Sequence, residues 1–349
     1  MPLVTFVSYC SRERVYADAV IANARMFSDL VVVSIGTRLY TGEPEDLQGE
    51  AARLVRDPDD DASANADASA NADASANADA SANADASANA DASANADASA
   101  NACAVLVAAY DVPERLLDQP IVLHNAAREV GVAAARRALS NAPFWALLLD
   151  GDEVPDGPRV RSWWTGPAGD RVRSNVRAAH KMANHWLFLH RRLVADELED
   201  SVLLVHSDVL ASREALTHPR ERDGIYLWHL TSPLGMRDLR VERRVLGDDG
   251  QPLFWHFSWV RPSAGGGEGT SGDVDGEGDG GRAALKAKCA NWGHRHDRDW
   301  AALIDEAFDG IAAGRWPQRD FVHGYGLRVL DADPEPLGAR LDGPDEESA

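Results

Sequence analysis

The 349-residue chain has few cysteines and no long apolar run. Cys10, Cys103 and Cys289 are far apart and odd in number, which excludes a small scaffold held together by disulfides. No window approaches 18 uncharged apolar residues, so we expect no transmembrane segment. The apolar run that follows Met1 has no basic residues before it, and we therefore expect no signal peptide. A reducing, cytoplasmic location is the default expectation for such a chain.

Positive charge is scarce in three segments, and these segments account for the formal net charge of −21. Residues 57–102 contain ten Asp and no Lys or Arg, and residues 263–281 contain five acids and no base. The tail, residues 331–349, contains seven acids and one Arg. The rest of the chain is neutral overall. A basic face, which nucleic-acid binding requires, is not indicated, so we expect no nucleic-acid partner.

The same three segments have low sequence complexity. Residues 61–102 repeat Asp-Ala-Ser-Ala-Asn-Ala seven times, with no large apolar residue to bury. Such composition predicts a disordered insert over 57–102, and the Gly-rich acidic stretch 263–281 predicts a flexible loop insert. The tail 331–349 is expected to be a disordered acidic terminus. The sequence therefore predicts a single domain over residues 1–330, interrupted by two inserts.

Apolar periodicity predicts an alternation of strands and helices outside these segments. Continuous apolar strands separated by helices are typical of an α/β layer whose sheet is mainly parallel and flanked by helices. Ligands bind such sheets beyond the carboxyl ends of the strands. The predicted strands are Val4–Tyr9, Leu30–Ile35, Val105–Tyr110 and Phe144–Leu149, and the predicted helices are Arg14–Phe27 and Asn125–Leu139.

The most informative stretch follows the fourth predicted strand. Asp150-Gly151-Asp152-Glu153 places three carboxylates within four residues at the end of a buried strand. If the chain stays extended, Asp150 and Asp152 lie on the same side. Clustered carboxylates repel one another unless a cation neutralises them. Mg²⁺ or Mn²⁺ suits such oxygen ligands and often bridges to phosphates, although an acidic turn after the strand is the simpler interpretation.

These residues resemble a known enzyme family. The first two strands, the helix Asn125–Gly131 and the run Leu147–Asp152 are similar to the nucleotide-binding half of glycosyltransferase family 2, with its GT-A fold. The likeness is to family-2-like proteins of bacteria and large DNA viruses, and for a viral protein the expected location would be the host cytoplasm. Further stretches that carry it are Phe6–Glu13, Glu199–His206, His256–Arg261, Asn291–His294 and Asp320–Tyr325.

The resemblance implies a function and several site residues. It implies a GT-A-like fold and an inverting transfer of sugar from a nucleoside diphosphate donor to a carbohydrate or other hydroxyl acceptor. Asp150 and Asp152 match the D-x-D pair that holds Mn²⁺ or Mg²⁺ on the donor diphosphate. Arg128 matches an arginine near the nucleotide. Asp111, at the end of the third strand, is a candidate contact for the base or ribose.

The resemblance also implies residues on the acceptor side. An inverting transferase needs a base to take the proton of the acceptor hydroxyl. Glu199 and Asp200 resemble the Glu-Asp pair on the acceptor side of that family. Asp200 is the candidate base, with Glu199 as the alternative. His256 is the candidate third metal ligand, and His294 and His323 remain alternatives.

Two other functions stay open. A transferase-like scaffold could bind a sugar or a protein without turnover, since a fold does not establish an activity. The run Gly36-Thr37-Arg38-Leu39 resembles a motif of sugar-nucleotide pyrophosphorylases, but here it follows the second predicted strand and acidic residues come after it. No P-loop, dinucleotide-binding glycine motif or G-x-S-x-G motif is found.

Overall fold

The computed structural model describes residues 1–39, 42–55, 103–114, 117, 120–210, 240–260, 279–290, 297–332 and 334. Most of the two predicted inserts and of the predicted acidic tail therefore lies outside the described residues. Where the second insert overlaps them, the prediction was wrong. Residues 279–281 were assigned to the flexible loop, but they form the first turn of a helix.

Eleven strands and seven helices make up the described part of the chain. The strands are β1 Leu3–Tyr9, β2 Leu30–Gly36, β3 Ala104–Tyr110, β4 Trp145–Asp150, β5 Glu153–Pro155, β6 Ala178–Phe188, β7 His190–Ala195, β8 Glu199–His206, β9 Arg240–Val245, β10 Phe254–Trp259 and β11 Leu327–Val329. The helices are α1 Arg14–Arg25, α2 Leu47–Val55, α3 Pro120–Ala138, α4 Gly157–Thr165, α5 Pro167–Ser174, α6 Asp279–Ala290 and α7 Trp300–Ala312.

All eleven strands belong to one mixed sheet with the main order β11-β7-β6-β8-β4-β1-β2-β3. The part β4-β1-β2-β3 is parallel, as predicted. Strand β8 runs antiparallel to both β4 and β6, and β7 and β11 continue the antiparallel part. Strands β9 and β10 pair in parallel with β6, and β5 pairs with β10. The protein is thus mixed α/β, with helices flanking a central sheet.

Helices cover both faces of the parallel strands, which is why those strands are apolar at nearly every position. Val7 and Leu147 face a core shared with Tyr16 and Val20 of α1. On the opposite face, Phe6 and its neighbours pack against α3. Gly131 lets α3 approach closely, because a Cβ there would lie 2.7 Å from Ser34 Oγ.

The predicted elements are confirmed, with shifted ends. Helix α3 begins at Pro120, five residues before the predicted start, and α1 ends at Arg25 rather than Phe27. A third core lies between the antiparallel strands and helices α6 and α7, where Trp186, Trp259 and Trp300 are buried. This aromatic cluster lies under the loop that leads into β11.

Candidate functional site

The carboxyl ends of the four parallel strands meet at one edge of the sheet. They end at Tyr9, Gly36, Tyr110 and Asp150. Because β8 runs antiparallel to β4, pairing Leu148 with Leu203, its first residues lie at that same edge. This edge therefore collects the acidic run after β4 and the Glu-Asp pair at the start of β8, which are 46 or more residues apart in the sequence.

Asp150 ends β4 and contacts an arginine of α3. Arg128 Nη2 donates to Asp150 Oδ1 at 2.8 Å, and the arginine side chain is only 1% exposed. Gly151 and Asp152 form a turn rather than a continuation of the strand. The strand ends at Asp150, so the condition under which Asp150 and Asp152 would lie on the same side, an extended chain, is not met. The structure does place Arg128 at the D-x-D segment.

Asp152 is buried and pairs with a lysine from a distant part of the chain. Lys288 Nζ, on α6, donates to Asp152 Oδ2 at 2.5 Å, to the Ser258 carbonyl at 2.8 Å and to Ser258 Oγ at 3.2 Å. These three acceptors match the three protons of an ammonium group. Sequence reasoning missed Lys288, because no motif surrounds it and its helix begins inside the predicted loop insert.

His256, on β10, lies between two carboxylates. Its Nε2 is 3.6 Å from Asp152 Oδ1, and its Nδ1 is 3.4 Å from Glu199 Oε2. Burial by itself lowers the pKa of His256, but the contacts with Asp152 and Glu199 outweigh burial and raise this pKa to about 10. At neutral pH the ring is therefore a cation between two anions.

The residues proposed as metal ligands do not fit a divalent ion as they are arranged. An imidazole ligates a metal in its neutral form, whereas His256 is held protonated. Both carboxyl oxygens of Asp152 face a cation of the chain itself. Within the described residues, no group of three or more His, Cys, Asp or Glu is placed to hold a metal ion. Mn²⁺ or Mg²⁺ at this site stays a prediction, and His294, the other alternative ligand, lies outside the described residues.

Glu199 and Asp200 have opposite surroundings because successive side chains of a strand point to opposite faces. Glu199 lies beside His256, and its other carboxyl oxygen, Oε1, is 3.3 Å from Nδ1 of His323. Asp200 instead accepts two hydrogen bonds from Arg243, at 2.7 and 3.0 Å, and lies 3.4 Å from Lys181. Burial raises the pKa of Asp200, but these two cations outweigh it and lower that pKa. The structure therefore joins Glu199, and not Asp200, to the D-x-D segment.

The side chain of Glu153 stabilises the turn through hydrogen bonds. Its fully buried carboxylate accepts the Asp150 N–H at 2.8 Å and a hydrogen bond from the Ser201 hydroxyl. Ser201 in turn accepts from Asn184 Nδ2 at 2.6 Å. Each of the three clustered carboxylates thus has its own donor or cation, which offsets the repulsion expected from the sequence.

Asp111 lies at the end of β3, as predicted, and is exposed. Its Oδ1 accepts from Thr37 Oγ1 at 3.1 Å, and that hydroxyl accepts the Val112 N–H at 3.0 Å. The contact joins the ends of β2 and β3. A base or ribose contact by Asp111 stays a prediction, and the structure does not bring Asp111 into contact with the carboxylates of the D-x-D segment.

A buried acid anchors the end of β1 next to these residues. Glu50 of α2 accepts from the Tyr9 hydroxyl at 2.6 Å, from Arg53 Nε at 3.1 Å and from Arg14. Burial raises the pKa of Glu50, but these three donors outweigh burial and lower it. The network fixes α2 against the first strand, and the sequence contains no pattern that could have predicted it.

Replacing Glu50 by glutamine should destabilise the protein in a pH-dependent way. Because folding lowers the pKa of Glu50 from 4.5, the stabilisation by its carboxylate is present above that value and is lost as the pH falls through the folded-state pKa. We expect Glu50→Gln to cost about 2 kcal/mol at pH 7, in the range for hydrogen bonds to buried charged groups. Urea unfolding at pH 7 and pH 3.5 measures this cost, and an equal cost at both pH values would contradict the assignment.

Comparison with known proteins adds no family. No protein-family model matches the chain, and no curated protein is significantly similar to it. None of the helices in the described ranges is both long enough and apolar enough to cross a membrane.

Proposed function

We propose that the chain is an inverting glycosyltransferase that moves a sugar from a nucleoside diphosphate donor to a hydroxyl acceptor. One observation carries the proposal. The carboxylate that ends the acidic turn after β4, Asp152, is connected through His256 to Glu199 and from there to the exposed ring of His323. A line of titratable groups from a strand-end acidic turn to solvent suits a reaction that needs proton removal at one end.

The position of the line supports donor binding at the same edge. Ligands of α/β sheets bind beyond the carboxyl ends of parallel strands, and Asp150 lies at the end of β4. Arg128, Lys288 and the protonated His256 offset part of the negative charge of Asp150, Asp152, Glu153 and Glu199. The edge therefore repels a diphosphate less than the bare acidic run would. A GT-A type of fold is part of this proposal.

The transfer step assigns the acceptor side to Glu199. The acceptor oxygen attacks the anomeric carbon and forms a C–O bond, while the bond from that carbon to the diphosphate oxygen breaks and its electron pair leaves with the diphosphate. The hydroxyl proton must pass to a base. The Glu199 side of β8 faces the D-x-D segment, and the Asp200 side faces Arg243 and Lys181. The geometry therefore favours the Glu199 side of β8, the alternative in the sequence-based prediction, over the Asp200 side as the place where this proton is removed.

A screen of nucleoside diphosphates and their sugars, each with EDTA or with Mn²⁺, tests the proposal. A ligand that binds only the folded state raises the melting temperature by mass action. We expect at least one nucleoside diphosphate to stabilise the protein, and the matching sugar nucleotide to be turned over. Stabilisation without turnover of any donor would support a non-catalytic scaffold. Turnover of a sugar 1-phosphate with a nucleoside triphosphate would support a pyrophosphorylase, and either result would overturn the proposal.

A further inference from the structure

His323 is the most exposed member of the line of groups that begins at Asp152. Its side chain is 39% exposed, whereas that of Glu199 is 15% exposed. Nδ1 faces Glu199 Oε1 at 3.3 Å, so that Nε2, on the other side of the ring, faces away from the carboxylate. Among the described residues, none hydrogen-bonds to Nε2. The imidazole can therefore be reached by a ligand from a direction in which Glu199 cannot.

The backbone that carries His323 is held rigidly. Asp320 is 3% exposed, and its carboxylate accepts four backbone N–H groups, those of Val322, His323, Gly324 and Tyr325, at 2.5 to 3.2 Å. Gly324 has a φ of +80°, a conformation that side-chain-bearing residues rarely adopt. The buried carboxylate of Asp320 thus fixes a short loop, and this loop carries the exposed ring of His323.

Aromatic neighbours restrict the ring further. The His323 centroid lies 4.9 Å from that of Trp186, which is buried, and 5.0 Å from that of Tyr325. Ring rotation about the side-chain bonds is limited between these two aromatic groups. A base with a fixed position loses less entropy when a substrate arrives, which is the physical basis of preorganised catalysis.

Glu199 is held from its other side. Its Oε2 lies 3.4 Å from Nδ1 of His256, and that ring lies between Glu199 and Asp152. A carboxylate fixed beside Nδ1 of an imidazole favours the tautomer with the proton on Nδ1, which leaves the lone pair of Nε2 available as a base. Contacts of this kind are often long in the absence of substrate and shorten in the reacting complex.

We propose that His323 is the general base of the transfer and that Glu199 is its positioning residue. This inference rests on the proposed function. The acceptor O–H bond breaks and its proton goes to Nε2, while the oxygen forms its bond to the anomeric carbon and the diphosphate leaves with the electron pair of the broken bond. The imidazolium then releases the proton to water. The exposed ring, not a carboxylate, touches the acceptor.

Replacing His323 tests the assignment. His323→Gln keeps a polar side chain but cannot accept the proton, and we expect kcat to fall by about 100-fold, within the range for loss of a general base, with the donor KM unchanged. The kcat of His323→Ala should fall by the same factor, and it should rise at least tenfold when imidazole is added to the assay. His185→Gln is the matched control. The ring centroid of His185 also lies close to that of a tryptophan, 4.3 Å from Trp255, but His185 is not part of the line from Asp152 to His323.

The outcomes separate this inference from the proposed function. A wild-type protein that turns over no sugar nucleotide removes the function, and the inference with it. An active wild type whose His323→Gln variant keeps its kcat, or whose His323→Ala variant is not rescued by imidazole, overturns only the assignment of the base. A rise in the acceptor KM with unchanged kcat would show that His323 binds the acceptor without taking its proton, and this result also contradicts the proposal.

Discussion

Glu199→Gln lowers the rate of sugar transfer by about 100-fold or more, as much as loss of the general base that Glu199 positions, while Asp200→Asn changes it by less than about threefold. The physical reason is the alternation of β8, which turns Glu199 towards His256 and His323 and turns Asp200 towards Arg243 and Lys181. A glutamine keeps the shape of Glu199 but not the negative charge that orients the imidazole. Initial rates with saturating donor measure the difference.

The pair of variants is matched because both replace an acid by its amide on adjacent positions of one strand. Donor binding, measured by the ligand-induced shift in melting temperature, should be equal in both variants and in the wild type. Asp200→Asn should instead lower stability by about 1 kcal/mol, because it weakens a partly buried ion pair. If Asp200→Asn abolishes transfer and Glu199→Gln does not, the original assignment of Asp200 as base is correct and the proposed geometry of the reaction is wrong.

Lys288→Met should be the most destabilising of the charge substitutions at the site. It removes the ammonium that contacts Asp152 Oδ2 and leaves that carboxylate, which is only 3% exposed, with one fewer cation beside it. Removing one partner of a buried pair costs about 3 kcal/mol or more. The midpoint of urea unfolding, converted with the measured slope, gives the change in the free energy of unfolding.

Lys286→Met provides the control on the same helix. Lys286 also pairs with an aspartate, Asp305, but both side chains are more than a third exposed. An exposed pair of this kind contributes about 0–1 kcal/mol. The double variant Asp152→Asn/Lys288→Met should recover part of the loss, because no uncompensated carboxylate remains. Equal stability of the Lys286→Met and Lys288→Met variants would contradict a structural role for the Asp152–Lys288 pair.

The same variants test the predicted metal. Removing Lys288 leaves a carboxyl oxygen of the type that Mn²⁺ and Mg²⁺ prefer as a ligand. We therefore expect Mn²⁺ alone to stabilise Lys288→Met more than it stabilises the wild type. If Mn²⁺ stabilises the wild type to the same extent, the ion binds without displacing Lys288. That result would support the metal site that the D-x-D resemblance implies.

Local patterns of sequence predicted the parallel part of the sheet well. The four parallel strands are continuous apolar runs bounded by polar residues, and helix α1 has its apolar residues at helical spacing. These signals are short in range and do not depend on the rest of the chain. The acidic run after β4 and the polar ends of the strands are local for the same reason, and so the edge of the sheet that carries the candidate site could be predicted.

The sequence by itself determined which acids follow the buried strand and that a Glu-Asp pair and several histidines lie further along the chain. Only the tertiary structure decided which of them meet. Lys288 reaches Asp152 across 136 residues, and His323 reaches Glu199 across more than 120. A side chain's partner is set by strand order, by the face on which it lies and by the packing of distant helices, and none of these leaves a local pattern in the residues that make the contact.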